Sequence, residues 1–150
     1  FTVSHERVHK LHELLATAAI PLMTGLRNPS SAQLSEGDAL ISLSEVTESL
    51  LQEVLQLAPF GVDNPKPVFL VSSVRVASLR AFGRDKNHIE VGVSCERTGV
   101  TARAFDFFNS PENFKHAPTI GNPVRLLASI ERDTYRGGLA LRLADVLPSA

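Results

Sequence analysis

The feature that most constrains this chain is a change of hydrophobic period near Pro67. Before it, apolar residues recur at helical spacing; after it, they alternate with polar ones, the mark of strands with one buried face. Val68, Leu70, Val74 and Val76 read as one face of a first strand, with Arg75 opposite. Ile89, Val91, Val93 and Cys95 mark a second strand, and Val100, Ala102 and Ala104, alternating with Thr101, Arg103 and Phe105, mark a third. Val124, Leu126, Ala128 and Ile130 give a fourth; Leu139, Leu141 and Leu143, with Ala140, Arg142 and Ala144 outward, give a fifth. The stretch Asn109–Thr119, between the third and fourth, is long enough for one short helix. Five strands in about 80 residues with a helical insert at that point suggest an OB-type barrel. A five-stranded SH3-like barrel or a split sandwich fits the periodicity less well and stays open.

Upstream, the pattern is helical. After an extended Phe1–Val3, Ser4 can cap a helix with Glu6 in its first turn and Val8, Leu11, Leu15 and Ala18 as its apolar stripe, ended by Pro21. Residues 24–37 are turn-rich and read as a loop, and Ala39–Leu43 reads as a short strand. A second helix is expected from about Ser44 to Leu57, with Val46, Leu50, Leu51, Val54 and Leu57 on its apolar side, stopped by Pro59. The expected organisation is mainly β: a small α/β segment with two helices over residues 1–58, then the barrel over 59–150.

The 150 residues are 43% hydrophobic and 21% charged, which excludes disordered, collagen-like and coiled-coil chains. No apolar run approaches the ~20 residues of a membrane-spanning helix, and no signal peptide is visible. A single cysteine excludes a disulfide framework and a Cys-rich zinc site, so a cytoplasmic, reducing setting is expected. Because the chain begins at Phe1 and not Met, it reads as a fragment or a processed product. Its net charge of −1 conceals an asymmetry: residues 1–59 carry three basic and seven acidic residues, net −4, and residues 60–150 carry twelve and nine, net +3. A basic half beside an acidic one hints at an anionic partner, although solvated surface charge accounts for it as well.

Chemistry is sparse. His5, His9 and His12 fall on one stripe of the first helix, the first two at a spacing used by helical zinc sites. The zinc-protease pattern is incomplete, since Ala16 follows His12-Glu13-Leu14-Leu15 where a second histidine is required, and solvated histidines suit that stripe. Cys95 lies on the apolar side of its strand and reads as a small buried hydrophobe. No nucleophile with a base, phosphate-cradling loop or credible carboxylate pair is found, so the fragment is expected to be non-catalytic, with no metal and no cofactor of its own. The loops of the second half say more. The first reads Arg80-Ala81-Phe82-Gly83-Arg84-Asp85-Lys86-Asn87-His88 and the second Arg132-Asp133-Thr134-Tyr135-Arg136-Gly137-Gly138, the last two glycines read as a hairpin turn. Each interleaves cations with an aromatic ring, and Arg103 and Phe105 lie between them on the outward face of the third strand. In an OB barrel those are the loops that flank a bound oligonucleotide. Cations neutralise phosphates and aromatic faces stack bases. The candidate contacts are therefore Arg80, Phe82, Arg84, Lys86, Arg103, Phe105, Arg132, Tyr135 and Arg136. Four neutralised phosphates would give log K a slope near −3 against log salt, at roughly −0.7 per contact.

The junction Leu57-Ala58-Pro59-Phe60-Gly61-Val62-Asp63-Asn64-Pro65-Lys66-Pro67-Val68-Phe69 resembles the Leu-x-Pro-Phe-Gly-x-Gly-Asn-Pro-x-Pro-x-Phe signature of RecJ, the bacterial single-strand-specific DNA exonuclease family. Asp38-Ala39-Leu40-Ile41-Ser42-Leu43 with the helix after it, and the ending Asp133-Thr134-Tyr135-Arg136-Gly137-Gly138…Leu141-Arg142-Leu143-Ala144-Asp145-Val146, are similar to the family's segments at those places. Phe1-Thr2-Val3 resembles the segment just after the glycine/histidine motif of the family's DHHA1 domain. Asp63 stands where the family has Gly, a position at which a positive φ would be costlier, and the outer strand faces read as sparse in aromatics.

The resemblance implies the end of a DHHA1 domain plus an OB domain that holds single-stranded DNA for a 5′→3′ exonuclease of DNA repair and recombination. It places the Mn²⁺- or Mg²⁺-dependent hydrolase chemistry in a DHH domain absent from this chain. Two rival roles remain: docking the acidic, Phe-ended tail of the single-stranded-DNA-binding protein on the same Arg and aromatic pockets, or closing a ring around the catalytic core as architecture.

Overall fold

The computed structural model describes residues 37–149, which lie within one compact unit, Ser35–Ala150. The helix expected from Ser4, the His5, His9 and His12 stripe and the DHHA1-like start lie outside the described residues. In chain order the elements are β1 (Ala39–Ser42), a 3₁₀ turn (Leu43–Glu45), α1 (Glu48–Leu55), β2 (Phe69–Phe82), β3 (His88–Ser94), β4 (Thr101–Phe107), a second 3₁₀ turn (Pro111–Asn113), β5 (Pro123–Arg132) and β6 (Leu139–Pro148). Among the described residues no helix is long and apolar enough to cross a membrane.

The five alternating runs form a closed barrel. Strands follow one another as β2-β3-β4-β6-β5, and β5 pairs back onto β2; β4 and β6 run parallel, and the other barrel pairs antiparallel. This is the OB topology. β1 adds to β2 in parallel outside the ring, through Ala39↔Phe69 to Ser42↔Ser72. The interior is filled by β-branched and leucine side chains in which Val71, Val74, Val76, Ile89, Val91, Val93, Val124, Leu126, Ile130, Leu141 and Val146 are fully buried. Burial on this scale is the main force holding the ring closed.

β2 is long enough to serve both neighbours only because it bends twice. Between Val71↔Leu126 and Val74↔Val124 it carries one residue more than β5, and between Val76↔Val93 and Ser78↔Gly92 one more than β3. Ser73, at the first bulge, has φ 57°. An extra residue reverses which face each later side chain takes. Phe69 and Val71 therefore point into the barrel together with Val74 and Val76, while Val68 and Leu70 pack outside it with Leu127 and Leu147. The expectation that Val68 and Leu70 share a face with Val74 and Val76 is corrected accordingly.

Further expectations shift. The second helix does not begin at Ser44: the Glu45 carboxylate accepts hydrogen bonds from the Ser42 N–H and hydroxyl, both 2.7 Å, and closes a separate 3₁₀ turn. Thr47 then caps α1, its hydroxyl accepting from Leu50 N–H at 3.3 Å, and Leu51 and Val54 bury against the barrel. Leu57 lies beyond the helix end, 58% exposed. The insert between β4 and β5 is no α-helix. Ser110-Pro111 and Pro118 favour extended backbone, and Phe114 is buried in the core beyond the three-residue turn. Val100 is exposed in the β3–β4 connection, where its C=O accepts from Cys95 N–H at 2.9 Å; Ala140, expected outward, is buried. Cys95 packs in the core as a small hydrophobe.

The junction motif has a clear local task. The Asn64 side-chain amide donates to the C=O groups of Leu57 (2.8 Å) and Pro59 (2.9 Å), and Gly61 and Asn64 exchange backbone hydrogen bonds. One residue thus satisfies a carbonyl left open just past α1 and pins the turn into β2. Asp63 is not among the residues with positive φ, so this turn does not require the family's glycine.

Candidate nucleic-acid interface

Register decides which side chains meet on the outer face. β3 buries Ile89, Val91 and Val93 and turns His88, Glu90 and Gly92 outward. Their neighbours on β2 are Phe82, Arg80 and Ser78, and on β4 Phe107, Phe105 and Arg103. Three rows therefore cross the sheet: Phe82–His88–Phe107, Arg80–Glu90–Phe105, and Ser78–Gly92–Arg103. The β5–β6 loop leans over them. The result is a cleft of about 540 Å³ between that loop and the β2–β3 turn. Six of the nine expected contacts line it: Arg80, Phe82, Arg103, Phe105, Tyr135 and Arg136.

The other three lie elsewhere. Arg84 and Lys86 are exposed at the β2–β3 turn, outside the lining and without an ion pair among the described residues. Arg132 is turned to α1, where its guanidinium pairs with Glu48.

Five residues of the lining were not among the expected contacts: Gly83, His88, Glu90, Phe107 and Asp133. They change its chemistry. The outer face is not sparse in aromatics. Phe107 meets Phe82, His88 and Phe105 edge-on or tilted at centroid distances of 5.9, 5.1 and 5.3 Å, and His88 meets Phe108 at 4.8 Å. Arg142 lies with its guanidinium carbon 4.5 Å from the Phe107 centroid and 5.6 Å from that of Phe105, anchored by Asp106 at 2.9 Å. Phe107 is 41% exposed, Phe108 81% and Tyr135 93%, so rings remain open to a planar ligand. Carrying the alternation of the third strand two residues past Phe105 reaches Phe107.

The aromatic group is held from behind. His88 Nδ1 accepts from Phe108 N–H at 3.0 Å, which assigns the ring proton to Nε2 when the ring is neutral. Gly83 has φ 87°, and a Cβ there would lie 2.6 Å from His88 Cδ2, so the turn fits against the imidazole only as glycine.

Charge in the cleft is largely internal. Glu90 Oε1 accepts from Arg80 Nη2 (3.1 Å) and Arg136 Nη1 (3.2 Å), and its Oε2 lies 4.0 Å from Arg103 Nη1. Arg103 Nη2 also pairs with Asp133 Oδ2 at 2.6 Å. Three guanidiniums against two carboxylates leave the lining one net positive charge.

Asp133 organises the loop. Its Oδ1 accepts from the N–H groups of Tyr135 (2.9 Å) and Arg136 (2.8 Å), while Asp133 N–H donates to Gly138 C=O at 2.9 Å. Gly137 and Gly138 take φ of 78° and 77°, as the expected hairpin turn requires. The Arg136 N–H foremost, then the Tyr135 N–H and the Arg103 guanidinium, hold the Asp133 carboxyl below the ordinary aspartate range, against desolvation. A carboxyl lowered in the folded state adds stability above its unfolded pKa, about 4, and loses it as pH falls through the lower folded value. Asp133→Asn is therefore expected to be less stable than the native chain in urea at pH 7, with the gap closing as pH falls below about 4. A gap independent of pH would show that the Asp133 charge does not hold the loop.

The sequence of the barrel has counterparts in known proteins. The family described as the RecJ OB domain matches residues 37–144. A stretch of 73 residues, 49% of this chain and 9% of its counterpart, is 27% identical to the single-stranded-DNA-specific exonuclease RecJ of Bacillus subtilis (strain 168). The family's match begins two residues before β1 and ends inside β6, and so covers well over half of the chain: the chain belongs to the RecJ OB-domain family.

Proposed function

We propose that this chain is the strand-holding domain of a RecJ-like exonuclease and binds single-stranded DNA across the outer face of β3 and β4. One observation carries the reading: the two loops and two strand faces that an OB barrel offers to an oligonucleotide converge here on open aromatic rings and arginines in a single cleft. Bases stack on the rings and the guanidiniums track the backbone, without base specificity. Hydrolysis, and the divalent metal it uses, belong in this reading to other parts of the enzyme. Its setting is DNA repair and recombination in the cytoplasm.

Fluorescence anisotropy with labelled single-stranded and duplex DNA tests the proposal. Saturable binding that prefers the single strand is expected. Arg84, Lys86 and the single net charge of the cleft amount to about three phosphate contacts, which gives log K a slope near −2 against log salt at roughly −0.7 per contact. That is shallower than the slope the cation count alone suggests. Equal affinity for duplex, or none for either, overturns the proposal. Displacement of the DNA by an acidic, Phe-ended peptide would show that the cleft also serves docking.

A further inference from the structure

We infer that Glu90 is a built-in competitor for the DNA phosphate: it occupies the arginine cluster when the strand is absent and sets how tightly the strand is held. This rests on the single-stranded-DNA reading above. Glu90 stands in the middle of the outer face, paired across β2 with Arg80 and across β4 with Phe105. A carboxylate at the centre of a face meant for an anion is against the simple electrostatics of such a site, and its position needs a reason. Arg80 and Arg136 both donate to its Oε1, Arg136 Nη1 also lies 3.0 Å from its Oε2, and Arg103 closes the third side. Its side chain lines the cleft and keeps 19% exposure.

A carboxylate and a phosphodiester present the same thing to a guanidinium, a pair of acceptor oxygens carrying one negative charge. An incoming phosphate must therefore displace Glu90 from at least one arginine, and each arginine so exchanged releases less counterion than a free one. Arg80 and Arg136, 54% and 39% exposed at the side chain, have room to swing from the carboxylate to a backbone above them. Arg103 has a second anchor in Asp133 and stays. The consequence is a moderate, exchangeable grip, suited to a strand that has to move past while held.

The test compares labelled oligo-dT binding to the native chain, Glu90→Gln, Arg136→Ala and the double variant, with Glu131→Gln as a control. Glu131 pairs with Lys66 outside the cleft, so its loss changes net charge equally. Glu90→Gln is expected to tighten binding roughly threefold to tenfold at low salt and to steepen the salt slope by about 0.7, one further phosphate contact. Glu131→Gln should stay within about twofold of native. Arg136→Ala is expected to cost less than about twofold in the native background and at least fivefold in Glu90→Gln, a non-additivity that a general charge effect does not produce. Weaker or unchanged binding by Glu90→Gln while the native chain binds overturns the inference and leaves the DNA reading standing. Should Glu90→Gln fail to fold, a large loss from Arg136→Ala alone overturns it. Should the native chain bind no oligo-dT, the DNA reading falls and takes this inference with it.

Discussion

Leu141→Ala is expected to lower the unfolding free energy by about 3–4 kcal/mol, the range for deleting a fully enclosed leucine. Leu141 is wholly buried and sits where three strands join, opposite Ile130 on β5 and Ala104 on β4. The ring is thinnest at that seam, because β4 and β6 share only the pairs Ala104↔Leu141 and Phe105↔Arg142. Part of the lost energy is transfer of the side chain and part is the cavity that rigid strands cannot fill. Against a total stability of about 5–15 kcal/mol for a domain, that is a large share, and it corresponds to a fall in melting temperature of roughly 10–20 °C. Leu141→Met, which keeps volume, should cost less than about 1.5 kcal/mol. Equilibrium unfolding in urea measures both. Equal small losses for the two variants would mean that the β4–β6 seam is not what closes the barrel. The functional cost reaches further than stability, since β4 carries Arg103, Phe105 and Phe107 and its hold on β6 fixes where they stand.

The barrel is readable in the chain because a half-buried strand announces itself by alternation, and β3, β4 and β5 keep one phase throughout their core-facing residues, while β6 shifts once, between Leu143 and Val146. β2 does not keep one phase either. Its start, Val68-Phe69-Leu70-Val71, is apolar on both faces, since the outer side packs against Leu127 and Leu147. Nothing in such a run tells odd positions from even ones, and a bulge marked only by two serines leaves no trace in the pattern. The helix expected before the barrel differs at its N-terminus for a local reason: Ser42 and Thr47 are both N-caps in the structure, and each opens its own turn. In the cleft, residue type and loop position are enough to bring together six of the expected contacts. What they cannot supply is pairing. Arg80, Arg103 and Arg136 look like free cations in the chain, and only the β2–β3–β4 register places Glu90 among them. Arg132 departs from expectation because its loop does not face one way: this last residue of β5 turns to Glu48 on α1.

Tyr135→Ala and Phe108→Ala are expected to weaken single-stranded DNA binding by about 2 kcal/mol each, roughly 30-fold, the middle of the range for losing one stacked base. Both rings are almost fully open, and neither belongs to the core cluster. Stability should therefore change by no more than about 0.5 kcal/mol, which separates a binding defect from unfolding. They stand on different loops: Tyr135 rises from the hairpin that Asp133 braces beside Arg103, and Phe108 follows the end of β4 beside His88. Losses at such separate places should add, giving a double variant down by about 4 kcal/mol. The rings beneath them behave differently. Arg142 already covers Phe107, so a base arriving there meets a guanidinium plane as much as a ring, and Phe107→Ala would disturb the Phe82–His88–Phe105 packing as well. The informative comparison is thus between the open rings and the loop cations. Substituting Arg84 or Lys86 should flatten the salt slope and leave affinity at high salt little changed. Removing Tyr135 or Phe108 should lower affinity by the same factor at every salt concentration, because stacking releases no counterions. If both ring variants bind as the native chain does while the cation variants weaken, the strand is held by charge alone and the open rings have another use.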